Sequence, residues 1–277
     1  MNNIKVAQVK EIITRLESCI ASKTPFSLIR WGDGGIKMME AILHNDQDQL
    51  KHIVEKEGIP KNKMVEVFKL WGYFARQADY IDTPYVYYSG DFWPRQKKKG
   101  PITKQTDTKL RNWIDLYNDS EFDNVSFCNP EVNYLLCLKV GNRKNLLNVI
   151  KNKKIRIITP FEQLKKTLNG ICDVTITPIV KQYENHYDNS FLDVINDIEL
   201  NANKFDIWLI SAGELGRIYT GMIKLYGGRA IDMGFVSEYW IHGDLHERLQ
   251  LFMKQSSKNP LEFVLTDEGK KYQKGIL

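Results

Sequence analysis

The segment from Phe205 to Gly234 constrains the fold more than any other. Phe205-Asp206-Ile207-Trp208-Leu209-Ile210 is a short apolar run with strand character. Ser211-Ala212-Gly213-Glu214-Leu215-Gly216 follows as a turn, and Arg217 to Leu225 has the spacing of a helix. Gly227-Gly228 stops that helix, and Arg229-Ala230-Ile231-Asp232-Met233-Gly234 is a second strand. Two parallel strands joined through a helix belong to an open sheet with helices on its faces. The turn reads S-x-G-x-x-G, one residue away from the dinucleotide fingerprint, and Asp232 stands where a ribose-binding acid is expected. On that reading Ser211, Gly213 and Gly216 approach a nucleotide. The plainer reading is that the glycines let the helix pack closely on the strand.

The same alternation runs through the chain. Strand patterns fall at Phe26–Ile29, Tyr85–Tyr88, Asn124–Cys128, Lys154–Thr159 and Asp173–Thr177. Helical spacing predicts an N-terminal helix over 3–21, then helices at Asp48–Glu57, Lys61–Asp79, Thr106–Tyr117, Glu131–Val140, Asn145–Ile150, Phe161–Leu168 and Phe191–Leu200. Leu245–Met253 suits a closing helix and Leu261–Leu265 an edge strand, and a lysine-rich tail from about 266 to 277 is expected to be mobile. This is an α/β pattern with a mostly parallel sheet flanked by helices. No linker interrupts it, so residues 1–277 read as one domain.

A second glycine turn follows the strand Phe26–Ile29: Arg30-Trp31-Gly32-Asp33-Gly34-Gly35. A strand that hands over to a helix through glycines is where open α/β sheets bind ligands. Gly32, Gly34 and Gly35 let backbone approach a ligand, and Arg30 has the fork geometry that clamps phosphate or carboxylate. Asp33 suits a divalent metal or a sugar hydroxyl, and equally a helix cap. Further along, Phe92-Trp93 and the basic run Arg95 to Lys99 share a Gly- and Pro-rich loop, suited to a lid, a partner surface or aromatics tucked into the core. His186 lies in a polar segment after a strand, where a base or phosphate contact and a solvated histidine are both open.

The formal net charge of +5 is mild, and no nucleic-acid recognition motif accompanies it. Cys19, Cys128, Cys137 and Cys172 form no CxxC pair and read as small core residues. No signal peptide precedes the first helix and no apolar run reaches membrane-spanning length, so a cytoplasmic protein with reduced thiols is expected. A homo-oligomer is compatible with all of this.

Leu28-Ile29-Arg30-Trp31-Gly32-Asp33-Gly34 resembles the Arg-aromatic-Gly-Asp-Gly-Glu motif of the GT-D glycosyltransferases, once known as a domain of unknown function. Ala230-Ile231-Asp232-Met233-Gly234 with Glu238-Tyr239-Trp240 is similar to that family's C-terminal segment, and Leu209 to Gly216 fits in order. The resemblance implies a Rossmann-like fold. It also implies a transferase moving a hexose from a nucleotide-sugar donor, typically UDP-glucose, to a glycan or glycoprotein acceptor or another carrier. On that reading Arg30, Asp33 and the surrounding glycines meet the donor, and Asp232 and Glu238 take ribose, acceptor or base roles. The family's Asp-x-Glu pair works with a divalent ion, manganese or magnesium. Asp33 matches the first acid, but Gly35 stands in place of the glutamate, which weakens the metal assignment. Two other readings are a non-catalytic nucleotide-sugar binder that supports another transferase, and a methyltransferase holding an adenosyl cofactor at Ser211–Gly216 and Asp232.

Overall fold

A computed structural model describes residues 6–30, 41, 46–82, 124–128, 132–137, 145–181, 183–234 and 236–242. The strands are β1 (Val6–Ala7), β2 (Phe26–Ile29), β3 (Tyr80–Asp82), β4 (Ser126–Cys128), β5 (Lys154–Thr159), β6 (Asp173–Pro178), β7 (Ile207–Ile210) and β8 (Arg229–Asp232). They form one sheet in the order β1-β4-β3-β2-β8-β7-β5-β6. Every neighbouring pair is parallel. All the C-terminal strand ends therefore lie along one edge.

Helices cover both faces, as a parallel sheet requires. We number them α1 (Val9–Ser22), α2 (Gln47–Glu57), α3 (Met64–Arg76), α4 (Val132–Cys137), α5 (Leu146–Ile150), α6 (Leu164–Thr167), α7 (His186–Asn201), α8 (Gly216–Leu225) and α9 (Val236–His242). Strand side chains alternate between the two layers, with the two-residue period of extended backbone. Ile29, Ile81, Trp208 and Ile210 join Ile53 of α2, Trp71 and Phe74 of α3, Ile198 of α7 and Tyr219 of α8. Phe26, Leu28, Ile207 and Leu209 join Leu16 of α1, Leu136 of α4, Leu146 of α5, Leu164 of α6 and Val236 of α9. Gly221 lets α8 lie directly on α3, since a Cβ there would overlap the Phe74 ring.

Several boundaries differ from the sequence reading. The N-terminal helix expected over 3–21 begins only at Val9; Val6-Ala7 is instead a strand, because Val6 and Ala7 pair with Phe127 and Cys128. The helix expected to Asp79 ends at Arg76, and Tyr80-Ile81-Asp82 is a strand the periodicity did not reveal. The last long helix starts at His186 rather than Phe191, where Asn185 caps it by accepting from the Asp188 N–H at 3.4 Å. The strand expected at 85–88, the helix at 106–117, the aromatic-basic loop, the elements expected beyond 242 and the C-terminal tail lie outside the described residues.

The fold makes the C-terminal ends of β2 and β8 a candidate ligand position. β2 and β8 are neighbours at the centre of the sheet. The chain leaving β2 goes to α2 on the first face, and the chain leaving β8 goes to α9 on the second. Connections that diverge from adjacent parallel strands open a cleft at their C-terminal ends, the usual ligand position in such sheets.

Candidate functional site

Arg30 follows the last residue of β2, and Asp232 is the last residue of β8. The register that pairs Leu28 with Ile231 brings the two to the same edge. Asp232 is only 5% exposed and accepts a hydrogen bond from the Gly234 N–H at 3.0 Å. Burial pushes its carboxyl pKa up, and the guanidinium groups of Arg30 and Arg217 oppose that rise. Gly234 has φ +53°, and the Arg30 guanidinium lies where a Cβ on it would stand. Glycine is therefore needed twice here, for the left-handed backbone and for the close approach. Asn133 of α4, fully buried, donates from Nδ2 to the Met233 carbonyl at 2.8 Å and fixes the same turn.

Arg217, in the first turn of α8, binds this edge to the neighbouring one. Its Nε donates to the Arg30 carbonyl at 2.7 Å, and its guanidinium pairs with the Glu214 carboxylate. It also lies 5.0 Å from the centre of the Trp71 ring, a cation–π contact. Glu57, the last residue of α2, is buried against the turn between β7 and α8. Its Oε2 accepts from the Glu214 N–H at 3.3 Å and touches the Gly213 backbone where a Cβ would be. In a dinucleotide fingerprint the N–H groups of such a turn face a phosphate. Here the Glu214 N–H faces a carboxylate of the chain itself. Gly216 sits so close to Ile210 that a Cβ would stand 3.2 Å from its Cγ2, which is the packing role. Ser211 is buried beside it. The structure thus brings Arg30 and Asp232 together and gives Gly213 and Gly216 structural work at a separate point.

Burial, reinforced by the neighbouring Glu214 carboxylate, pushes the Glu57 pKa up to about 7 from an ordinary value of 4.5. A folded state that holds a proton more tightly than the unfolded chain is stabilised at low pH. The Glu57 contribution is complete below about pH 4.5 and is lost as pH rises towards 7, amounting to about 3 kcal/mol. Glu57→Gln keeps an acceptor for the Glu214 N–H and removes the titration. We expect the variant to melt higher than wild type at pH 8 and similarly at pH 5, measured by differential scanning calorimetry. Equal melting temperatures at both pH values would refute this account of Glu57.

The other expected residues fall as follows. Gly32, Asp33, Gly34 and Gly35 lie outside the described residues, directly after Arg30. Glu238 lies on α9, with its side chain outside the described part. His186 is not a loop residue: it is buried in α7, 3.1 Å from the Tyr219 hydroxyl, and burial lowers its pKa to about 4. It is therefore neutral at pH 7 and packs between helices. Cys19, Cys128 and Cys137 are buried, and Cys172 is partly so. Sequence reasoning missed Arg217, Glu214 and Glu57. It also missed Asp82, a fully buried carboxylate at the end of β3, the strand beside β2. Among the described residues no group of three metal-ligating side chains comes together. Glu214 pairs with Arg217, and Asp232 faces two arginines. The described residues do not form a metal seat, and no step below runs through one. No helix among them is long and apolar enough to cross a membrane.

No family model matches the sequence and no curated protein matches it. Solved structures do. One, described as showing that domain of unknown function 1792 has a distinct glycosyltransferase fold, matches with a TM-score of 0.56 at 15% identity, over 87% of this chain and 82% of the other. A second, described as a new glycosyltransferase of this type from Streptococcus sanguinis, gives 0.54 at 14% identity, over 88% and 87%. A third structure of the same domain gives 0.52 at 14% identity, over 87% and 82%. The all-parallel sheet, its flanking helices and the cleft between β2 and β8 thus belong to a chain that shares the glycosyltransferase fold of domain of unknown function 1792.

Proposed function

We propose that this protein is a glycosyltransferase that moves a hexose from a UDP-sugar, such as UDP-glucose, to a glycan or glycoprotein acceptor. The observation that carries the reading is the placement of Arg30 and Asp232 at the ends of adjacent strands in a glycosyltransferase fold, with the Arg30 guanidinium against Gly234. A nucleoside diphosphate leaving group gathers negative charge as the glycosidic bond to it breaks, and prepositioned cations stabilise that charge. Arg30 is the group for this task, and Asp232 orients it and accepts from a ribose hydroxyl. Gly32, Asp33, Gly34 and Gly35, next after Arg30 in the sequence, are the further donor-side candidates, with the metal expectation confined to Asp33. Glu238 is the candidate acid on the acceptor side. The seat of Glu57 on the Gly213 turn favours a donor on the Arg30 side over an adenosyl cofactor in that turn.

Thermal shift and nucleotide-release assays test the reading with one panel: UDP-glucose, UDP, GDP and S-adenosylhomocysteine, each with and without manganese. A ligand at 100 times its Kd stabilises by about 2.7 kcal/mol. We expect stabilisation by UDP-glucose and UDP, and UDP release when acceptor glycans are added. Stabilisation by S-adenosylhomocysteine alone would overturn it. Tight UDP-glucose binding without turnover on any acceptor would favour the non-catalytic partner.

A further inference from the structure

We propose that Arg217 is the positioning residue of the donor site: it fixes the backbone of Arg30 and places a second positive charge beside Asp232. The inference rests on the reading that the donor meets Arg30. Arg217 sits in the first turn of a helix whose neighbours Ile218 and Tyr219 are core residues, and it is itself only 5% exposed. Burying a guanidinium is costly unless its donors and charge are satisfied. Here they are satisfied by groups of the cleft. Nε holds the Arg30 carbonyl, across 187 residues of sequence, and Nη1 holds the Glu214 carboxylate and lies 3.4 Å from the Glu214 carbonyl. The Trp71 ring closes one side.

The bond from Arg217 Nε holds the backbone carbonyl of Arg30 directly after β2. The bond also joins the two halves of the sheet, since Arg30 ends β2 and Arg217 belongs to the β7–α8–β8 unit. Asp232 is faced by Arg30 from the end of β2, Arg217 from α8 and Glu214 from the turn before it. Losing Arg217 removes one of the two cations that act on Asp232 among the described residues. A role in stability alone would not tune Asp232; a positioning role does.

Two substitutions separate the parts. Arg217→Lys keeps the charge and gives up the planar fork; Arg217→Gln gives up the charge. UDP-glucose is the probe, read by calorimetry across pH 5–8, with folding checked by circular dichroism. The Asp232 carboxyl is followed by carbon-13 NMR, which needs no ligand. For Arg217→Lys we expect about a tenfold weaker Kd with an Asp232 midpoint close to wild type, since a bond of this kind to a carbonyl is worth about 1.5 kcal/mol. For Arg217→Gln we expect the midpoint to rise by about 1 pH unit, the effect of removing a nearby opposite charge. The acid limb of binding should move up with it. An unmoved midpoint in Arg217→Gln, or wild-type affinity in a folded Arg217→Lys, would overturn the proposal. A wild type that ignores UDP-glucose would instead overturn the donor reading, and the midpoint would still decide whether Arg217 tunes Asp232.

Discussion

Asp232→Asn is expected to weaken UDP-glucose by 10- to 100-fold while leaving the melting temperature at neutral pH no lower than that of wild type. Asp232 faces the guanidinium groups of Arg30 and Arg217 in a buried position. Burial raises the Asp232 pKa, so its ionised form costs the fold stability at neutral pH, and a neutral amide of the same shape removes that cost. Asparagine still accepts from the Gly234 N–H, so the turn itself persists. A hydrogen bond between a charged group and the ligand is worth about 1.5–3 kcal/mol, which gives the affinity range. Binding must be measured at a temperature where the variant is folded. A folded Asp232→Asn protein with unchanged UDP-glucose affinity would remove this residue from the donor site.

Gly234→Ala is expected to cost at least tenfold in UDP-glucose affinity. Gly234 adopts φ +53°, where an L side chain is strained by about 1–2 kcal/mol. The added methyl would also occupy the place of the Arg30 guanidinium, which must move. Gly170→Ala is the control. Gly170 has φ +79° and nothing within 4 Å of a built Cβ, so it carries the backbone strain without the collision. Both variants should lose a few degrees of melting temperature, and only Gly234→Ala should lose donor affinity. Equal affinities in the two would show that the Arg30 side chain does not contribute.

Among the strands legible in the sequence, two stand out because they are buried on both faces. Phe26–Ile29 and Ile207–Ile210 are apolar at nearly every position, and the structure buries all eight residues. After Ile207–Ile210, the glycine turn marks where strand gives way to helix. β3 was hidden because it is three residues long and follows α3 with no glycine or proline between them. Helical spacing runs on to Asp79 unopposed. β1 was hidden for a similar reason: Val6 also fits the phase of the helix that starts at Val9. Asp232 was legible because its place at the end of a β-turn-α-β unit is a matter of local order. Arg217 and Glu57 were not. Their contacts reach Arg30 and Glu214 across 187 and 157 residues, and nothing local encodes that reach. The signal available was indirect: a charged residue set among core positions, as Arg217 is before Ile218 and Tyr219.

The seam between β2 and β8 has a consequence for how the chain is made. Phe26 pairs with Arg229 and Leu28 with Ile231, strands on the order of 200 residues apart. During synthesis β2 can recruit β3 and β4 early, while its other edge waits for a partner not yet translated. At about 5–20 residues per second that wait lasts on the order of ten seconds or more. Through it the nascent chain carries an open edge flanked by Phe26 and Leu28, a surface that invites pairing with other chains. The Arg30–Asp232 pair is therefore among the last features to be assembled, and a chain released before β8 has no half-formed version of it.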